Sequence, residues 1–166
     1  MPNLKRSQIE TYLNITPESP AILESASATY ALVGEGVSTL EVDMGAKSEE
    51  YQNLAEDAAS STLEAYAPSA PVEHTAILND PVFDYVNQLY LDQAIFDEAE
   101  STIVEVQKYE TGTPPSYPAF EQKVAIPVED IGDAAGDPVK LNYKFIYIGD
   151  PIPGTFNITT KVFTAS

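Results

Sequence analysis

The chain has 166 residues, of which 26 are acidic and 8 are basic, so its formal net charge is −18. Such an excess of carboxylates repels phosphate, which excludes electrostatically driven binding to nucleic acid and disfavours contact with anionic membranes. There is no cysteine, which excludes disulfides and thiolate metal sites, and no run of about 18 apolar residues that would predict a membrane span.

The first third of the chain is predicted to hold short strands after an N-terminal arm of about residues 1–27. Within that arm, "QIETYLNI" alternates in a way that also fits a strand. "TYALVGEGV" is typical of a strand that runs into a turn at Gly34 and Gly36, and "STLEVDM" alternates again. The next stretch, residues 45–61, is polar and has no sustained apolar stripe. We predict a long loop or a weak helix there.

The middle of the chain contains two short predicted strands and one helix. "TLEAYAP" and "PVEHTAIL" are the strands, separated by "APSAP". In "NDPVFDYVNQLY", Asp80 is placed to accept a hydrogen bond from an unpaired amide, and Pro81 has no amide hydrogen to leave unpaired. Apolar residues then recur every three or four positions, which predicts an amphipathic helix that begins at Pro81.

The C-terminal half reads as an antiparallel meander. "STIVEVQKY", "FEQKVAIPVEDI", "VKLNYKFIYI" and "TFNITTKVFT" each alternate with a period of two, and short Gly-, Asp- and Pro-rich stretches separate the last three. The segment "GDPIPG", which contains Gly149, Asp150, Pro151 and Gly154, is predicted to be one of the turns. In the second strand, Glu121 is predicted to face away from the apolar side.

His74, the one histidine in the chain, is the first candidate for chemistry. Alternation places it on the face opposite to its neighbour Glu73, and a general acid–base pair must lie within hydrogen-bond reach. Asp80 and Asp84, which follow shortly downstream, are already explained by the start of the helix. We therefore predict a structural role for His74.

Carboxylates supply the remaining candidates. Glu129, Asp130, Asp133 and Asp137 crowd one predicted turn and could in principle bind calcium, but their spacing does not match a known calcium loop and turns use Asp for backbone reasons. The paired acids Glu49–Glu50 and Glu98–Glu100 could suit glycoside chemistry, but neighbouring acids are expected by chance in so acidic a chain. The sequence predicts no catalytic set, cofactor or metal, and hence no enzyme.

Three segments in the same order carry a family resemblance. They are "YALVGEGVSTLEV", "YAPSAPVEHTAILNDPVFDYV" and the long C-terminal stretch from "AIPVEDIG" to the end. The more specific parts are the strand that runs into Gly34-Glu35-Gly36, the segment before Asp80-Pro81, and Gly149-Asp150-Pro151 followed by Gly154. Together they resemble the major tail tube proteins of long-tailed bacteriophages and related prophage tail particles. The stretch 45–61 departs from that pattern.

The resemblance implies a single domain over residues 1–166, mostly β, an antiparallel sandwich or barrel with one helix packed against it and extended arms and loops. It implies hexameric rings that stack into a tube, which conducts DNA without binding it specifically. The implied partners are further copies of the chain and other tail proteins (tape measure, tail terminator, distal tail), with no membrane partner. The implied location is the virion tail, after synthesis in the bacterial cytoplasm.

A second function class remains open on sequence grounds. The alternation and acidity also fit an acidic β-sandwich that serves as a binding or adhesion module of a surface or a virion. Such a module would be monomeric and would need an exposed aromatic or metal-dependent site. Self-assembly at high concentration separates the two predictions.

Overall fold

The computed structural model describes residues 2–166, with 47% of the chain in strands and 12% in helical turns. One antiparallel sheet curls into a half-barrel with a single α-helix against it, which confirms the predicted mostly-β fold with one helix. The elements are β1 (Ile9–Asn14), β2 (Tyr30–Leu32), β3 (Val37–Leu40), β4 (Lys47–Tyr51), β5 (Ser60–Ala65), β6 (Ser69–Thr75), α1 (Pro81–Asp92), β7 (Glu100–Gln107), β8 (Ser116–Ala125), β9 (Val128–Gly132), β10 (Lys140–Asn157) and β11 (Val162–Ala165), with 3₁₀ turns at Arg6–Gln8 and Phe96–Ala99.

The strands of the main sheet follow the order β2-β1-β7-β8-β10-β6-β3, and β9 and β11 pair with separate parts of β10. The end strands β2 and β3 are joined by the predicted turn at Gly34 and Gly36. The Val37 amide donates to the Gly34 carbonyl at 3.1 Å, and the Thr75 amide donates to the Gly36 carbonyl at 2.8 Å. This turn therefore spans the gap between the two ends of the curled sheet.

Each face of the sheet carries its own apolar core. The inner core lies inside the curl and includes Val82 and Val86 of α1 together with strand residues such as Leu13 and Phe145. The outer core lies on the convex face and includes Tyr12, Tyr30 and Phe156. Because side chains alternate along a strand, neighbours such as Tyr12 and Leu13 supply opposite cores. A sheet buried on both faces explains why its central strands β1 and β7 contain few exposed residues.

The helix prediction is confirmed. Asp80 precedes α1 and its Oδ1 accepts a hydrogen bond from the Val82 amide at 3.2 Å, while Pro81 occupies the first helical position. The helix ends where Gln93 adopts a left-handed conformation, with φ of +50°. Val82 and Val86, one turn apart, are the residues of the helix that are fully buried.

The C-terminal meander differs from the prediction in three places. The predicted second strand breaks at Ile126 and Pro127 into β8 and β9. The segment Gly149-Asp150-Pro151 is not a turn, because it lies within β10, which is 18 residues long. The pairing of β10 with β8 shifts in register between Ile148 and Ile152. The predicted last strand is instead the end of β10 and a tight return into β11. In each case, long-range pairing overrides a local signal for a strand or a turn.

The structure also differs from two predictions for the N-terminal half. Ile9–Asn14 of the predicted arm is β1, which pairs with both β2 and β7 and so is an inner strand of the sheet. The stretch predicted as a long loop or weak helix, 45–61, contains β4 and the whole of the following loop, and it ends in the first residues of β5. The two strands form an antiparallel hairpin that makes a sheet of its own.

Candidate functional site

A buried polar cluster joins β6, the start of α1 and β10. His74 is fully buried; its Nε2 lies 2.7 Å from Asp80 Oδ2, and its Nδ1 lies 2.9 Å from the Tyr143 hydroxyl. Asp80 thus uses one oxygen to cap the helix and the other to hold the histidine. The helix-start signal in the sequence predicts the cap but not the contact with His74.

This cluster has the components of a proton relay but no access for a substrate. A neutral imidazole with its proton on Nε2 satisfies both contacts, because it donates to Asp80 and accepts the Tyr143 proton. Burial and, secondarily, the charge of Asp80 raise the pKa of Tyr143, so the phenol remains a hydrogen-bond donor. Tyr143 is as fully buried as His74, and Asp80 is 3% exposed. The arrangement ties the helix to two strands, which agrees with the structural role predicted for His74.

A second buried polar cluster surrounds Glu121 on the convex face. Glu121 is only 1% exposed, although the sequence predicts that it faces away from the apolar side. Its Oε1 accepts from the Glu24 amide at 2.6 Å, and its Oε2 accepts from the Tyr30 hydroxyl, which lies 3.2 Å from Thr102 Oγ1. Burial, then the bond to Glu121, raises the pKa of Tyr30. The predicted face was correct, but the loop before β2 and the strand β11 cover it.

The other carboxylate candidates do not converge on one point. Glu129 forms a salt bridge with Lys144 at 3.0 Å, and Asp130 accepts from the Asn142 amide group at 2.7 Å. Glu49 and Glu50 are successive exposed residues of β4. Across residues 2–166, no group of three or more histidine or acidic side chains is arranged to hold a metal ion.

The predicted structural glycines have different roles. A Cβ on Gly36, whose φ is +76°, would lie 2.6 Å from the Thr75 carbonyl oxygen, and one on Gly154 would lie 2.2 Å from the Thr164 carbonyl oxygen. Gly34 has room for a side chain. Gly149 has φ of +70° with open space around it, so that backbone conformation rather than crowding favours glycine. It opens the Gly149–Pro151 irregularity that lets β10 change its register against β8.

The most exposed ordered element is the β4–β5 hairpin. None of its strand residues is fully buried, and its apolar side chains Tyr51, Leu54 and Leu63 lie largely in solvent. The hairpin also carries most of the acidic groups between β3 and β6. Isolated two-stranded hairpins are at best marginally stable in water, so this element needs contacts beyond its own strands.

An apolar cleft of about 550 Å³ lies between the base of the hairpin and the inner face of the sheet. Its lining includes Met44, Tyr66, Phe120 and Tyr147 together with Glu105. Burial raises the pKa of the Glu105 carboxyl, and the charge of Arg6 partly opposes that shift. The cleft therefore combines aromatic surface with one partly desolvated acid.

Unpaired strand edges are the remaining surface feature. In the described chain, β2 pairs only with β1, and β3 pairs only with β6, so each has one free edge. Such edges can template pairing with another chain. No helix among residues 2–166 has the length and apolar character needed to cross a bilayer.

Comparisons with known proteins do not identify a family for this chain. A scan against models of protein families finds none that matches the chain. A search of curated protein sequences likewise finds no significant match.

Proposed function

We propose that this protein is a structural subunit of a phage-type tail tube, in which hexameric rings stack into a hollow conduit for DNA. The observation that carries the proposal is the exposed β4–β5 hairpin, whose apolar side chains have no partner surface within the subunit. A neighbouring subunit would supply that surface. The segments that resemble tail tube proteins provide independent support.

Strand edges supply a means of closing the ring. The free edges of β2 and β3 lie at the two ends of the curled sheet. When the edge of one subunit pairs with the opposite edge of the next, the half-barrels join into a continuous β-structure and neither of these two edges remains exposed. The curvature of the sheet suits such a closed assembly.

The acidic composition of the chain suits the proposed conduit for DNA. Residues 41–110 contain 16 acidic residues and 2 lysines, which account for −14 of the net charge of −18. A bore without basic residues offers DNA no phosphate contacts, and such contacts would otherwise add up along a tube. We therefore expect the free protein not to retard DNA in a gel even at low salt.

The proposal places the protein in the virion tail, assembled after synthesis in the host cytoplasm. Its partners would be further copies of itself and the tape measure, terminator and distal tail proteins. It is a structural rather than a catalytic role, and it requires no cofactor, metal or membrane.

Sedimentation velocity over a range of concentrations, combined with negative-stain microscopy, tests the proposal. We expect rings or tubes for the full chain. We expect a variant in which residues 52–59 are replaced by Asn-Gly to remain folded and to assemble poorly, because the hairpin tip is lost. A full chain that remains monomeric at high concentration and moderate salt would contradict the proposal.

The cleft beneath the hairpin favours a second candidate, an acidic binding or adhesion module. Tyr66, Phe120 and Tyr147 give that cleft an aromatic lining of the kind that ligand sites use. A module of this kind would sediment as a monomer at every concentration. Substitution of Phe120 by Ala would then abolish ligand capture without changing the sedimentation coefficient, whereas a tube subunit shows concentration-dependent assembly.

A further inference from the structure

The end of α1 and the turn after it carry an exposed apolar patch formed by Leu91, Ile95 and Phe96. These side chains are 62%, 64% and 84% exposed. Phe96 has φ of +53°, a left-handed conformation that is an outlier for a bulky residue. Backbone strain of this kind concentrates at sites of recognition. The patch therefore has the properties of a surface that a partner covers.

An acidic cleft of about 360 Å³ borders this patch. Its carboxylates are Glu18, Asp92, Asp97, Glu98 and Glu100, of which Glu100 forms a salt bridge with Lys123 at 2.8 Å. The other four form no salt bridge within residues 2–166. They do not converge as metal ligands do. Spread along a cleft beside apolar side chains, they suit an extended partner that carries both cations and an apolar group.

The chain itself contains such a segment. Lys5 and Arg6 are the only adjacent pair of basic residues in the sequence, and the exposed Leu4 precedes them. The Arg6 side chain donates to the carbonyls of Ile9 and Leu40, which fixes the segment to the sheet. Lys5 forms no salt bridge in the described chain, so its charge is available to a partner.

The two surfaces lie at opposite ends of β7. Ile9, just after the basic segment, pairs with Gln107 at the end of that strand, whereas the turn that bears Phe96 leads directly into its first residue, Glu100. Seven residue steps of about 3.3 Å separate these positions by roughly 23 Å. The nearby charges at the basic end are the Lys108–Glu10 salt bridge and Glu110. Within one subunit the surfaces do not meet.

Resting on the proposed self-assembly, we propose that the Leu4–Arg6 segment of one copy docks on the Leu91–Phe96 patch of a second copy. The apolar and charged groups of the two surfaces are complementary, which is how interfaces select partner and orientation. A contact between unlike surfaces at opposite ends of a molecule repeats head to tail and builds an open stack. This contact would join one ring to the next, while strand edges join subunits within a ring.

Charge reversal in the full chain tests the contact. Lys5→Glu and Asp97→Lys should each weaken stacking by about tenfold, because each sets like charges against each other. Lys161→Glu makes the same change as Lys5→Glu at the exposed turn before β11, and it should leave stacking unchanged. The double variant Lys5→Glu with Asp97→Lys should recover stacking, because the inverted pair is again complementary. Sedimentation velocity measures stack length, and circular dichroism establishes that each variant is folded.

The outcomes separate this contact from the proposed function. Rings that stack equally well in both single variants would overturn the contact and leave the tube proposal in place. Loss of stacking in Asp97→Lys but not in Lys5→Glu would show that another basic segment fills the cleft, and would overturn the assigned occupant. A wild-type chain that forms neither rings nor stacks would overturn both.

Discussion

The half-barrel and the β4–β5 hairpin are both built from antiparallel strands but are stabilised in different ways. β10 alone pairs with β6, β8, β9 and β11, and its inward residues Leu141, Tyr143 and Phe145 are fully buried. The hairpin strands pair only with each other, and all five residues of β4 are exposed. Strand pairing alone therefore does not explain stability here. The half-barrel is held by two cores, whereas the hairpin depends on what it contacts.

One substitution in each region sharpens that comparison. The substitution in the half-barrel is expected to have the largest effect on the free energy of unfolding. Phe145→Ala should cost about 3–5 kcal/mol in the free energy of unfolding, because it opens a cavity in the inner core. Leu63→Ala in the hairpin should change the stability of the monomer by less than about 0.5 kcal/mol. Urea unfolding measures both. Comparable losses would mean that the hairpin shares the cooperative core.

Asp80→Ala is expected to cause the next largest loss in the free energy of unfolding. It removes the helix cap, worth about 1 kcal/mol, and it leaves the buried His74 Nε2–H without an acceptor, which costs about 1–3 kcal/mol more. Asp80→Asn should lie between this variant and wild type, because its single carbonyl oxygen can replace only one of the two acceptors. Asp84→Asn, exposed in the same first turn, is the matched control. An Asp80→Ala loss no larger than a cap alone would contradict the role of the His74 contact.

Alkaline pH is expected to unfold the half-barrel through its buried tyrosines. Burial is the largest cause of the raised pKa values of Tyr12, Tyr30, Tyr143 and Tyr147 relative to the ordinary value of 10.0. Their stabilising contribution is therefore complete below pH 10 and is lost as the pH rises above it, at up to about 1.4 kcal/mol per pH unit for each tyrosine.

The midpoint of urea unfolding, measured between pH 8 and pH 11.5, tests this loss of stability. The decline should be less steep in Tyr143→Phe than in wild type, because one titrating group is removed. The stability of each variant at pH 8 serves as its own reference. A wild-type midpoint that does not change up to pH 11.5 would show that these phenols ionise as readily in the folded protein as in the unfolded chain.

The smallest expected effect is that of shortening the hairpin tip. Replacement of residues 52–59 by Asn-Gly should change monomer stability by about 0.5 kcal/mol or less, because loop length enters only logarithmically. The same change should remove the site of first cleavage by a protease, since Leu54 and its neighbours are fully exposed. In assembled wild-type protein the tip should be cleaved more slowly than in monomer. Equal cleavage in both states would mean that the tip stays free in the assembly.

Local patterns predicted the parts of this molecule that depend on neighbours in sequence. The period-two alternation located β1, β7 and β8, and the pair Asp80-Pro81 located the start of the helix. The same patterns could not locate the His74–Asp80 contact. That contact follows a turn at Asn79, whose φ is +69°, and the cluster is completed by Tyr143, which lies 69 residues from His74.

The incorrect predictions share one physical cause. Gly149, Asp150 and Pro151 are typical turn residues, but pairing on both sides of them keeps β10 extended. Glu121 lies on the predicted face of β8, but alternation does not show that Tyr30 and the Glu24 amide cover that face. The β4–β5 hairpin lacks an apolar stripe because neither of its faces is buried in the subunit. In each case the missing information is whether a distant part of the chain pairs with the segment or covers it.

The length of β10 has a consequence for synthesis on the ribosome. β6 is made about seventy residues before the part of β10 that pairs with it, and β8 also waits for β10 to complete its pairing. Folding dominated by such distant pairings is slow, and it leaves strands unpaired in the meantime. Mutual repulsion among the many carboxylates of residues 41–110 would keep these nascent strands from adhering to those of other chains. The acidity that suits the proposed assembly would thus also protect the chain before it has folded.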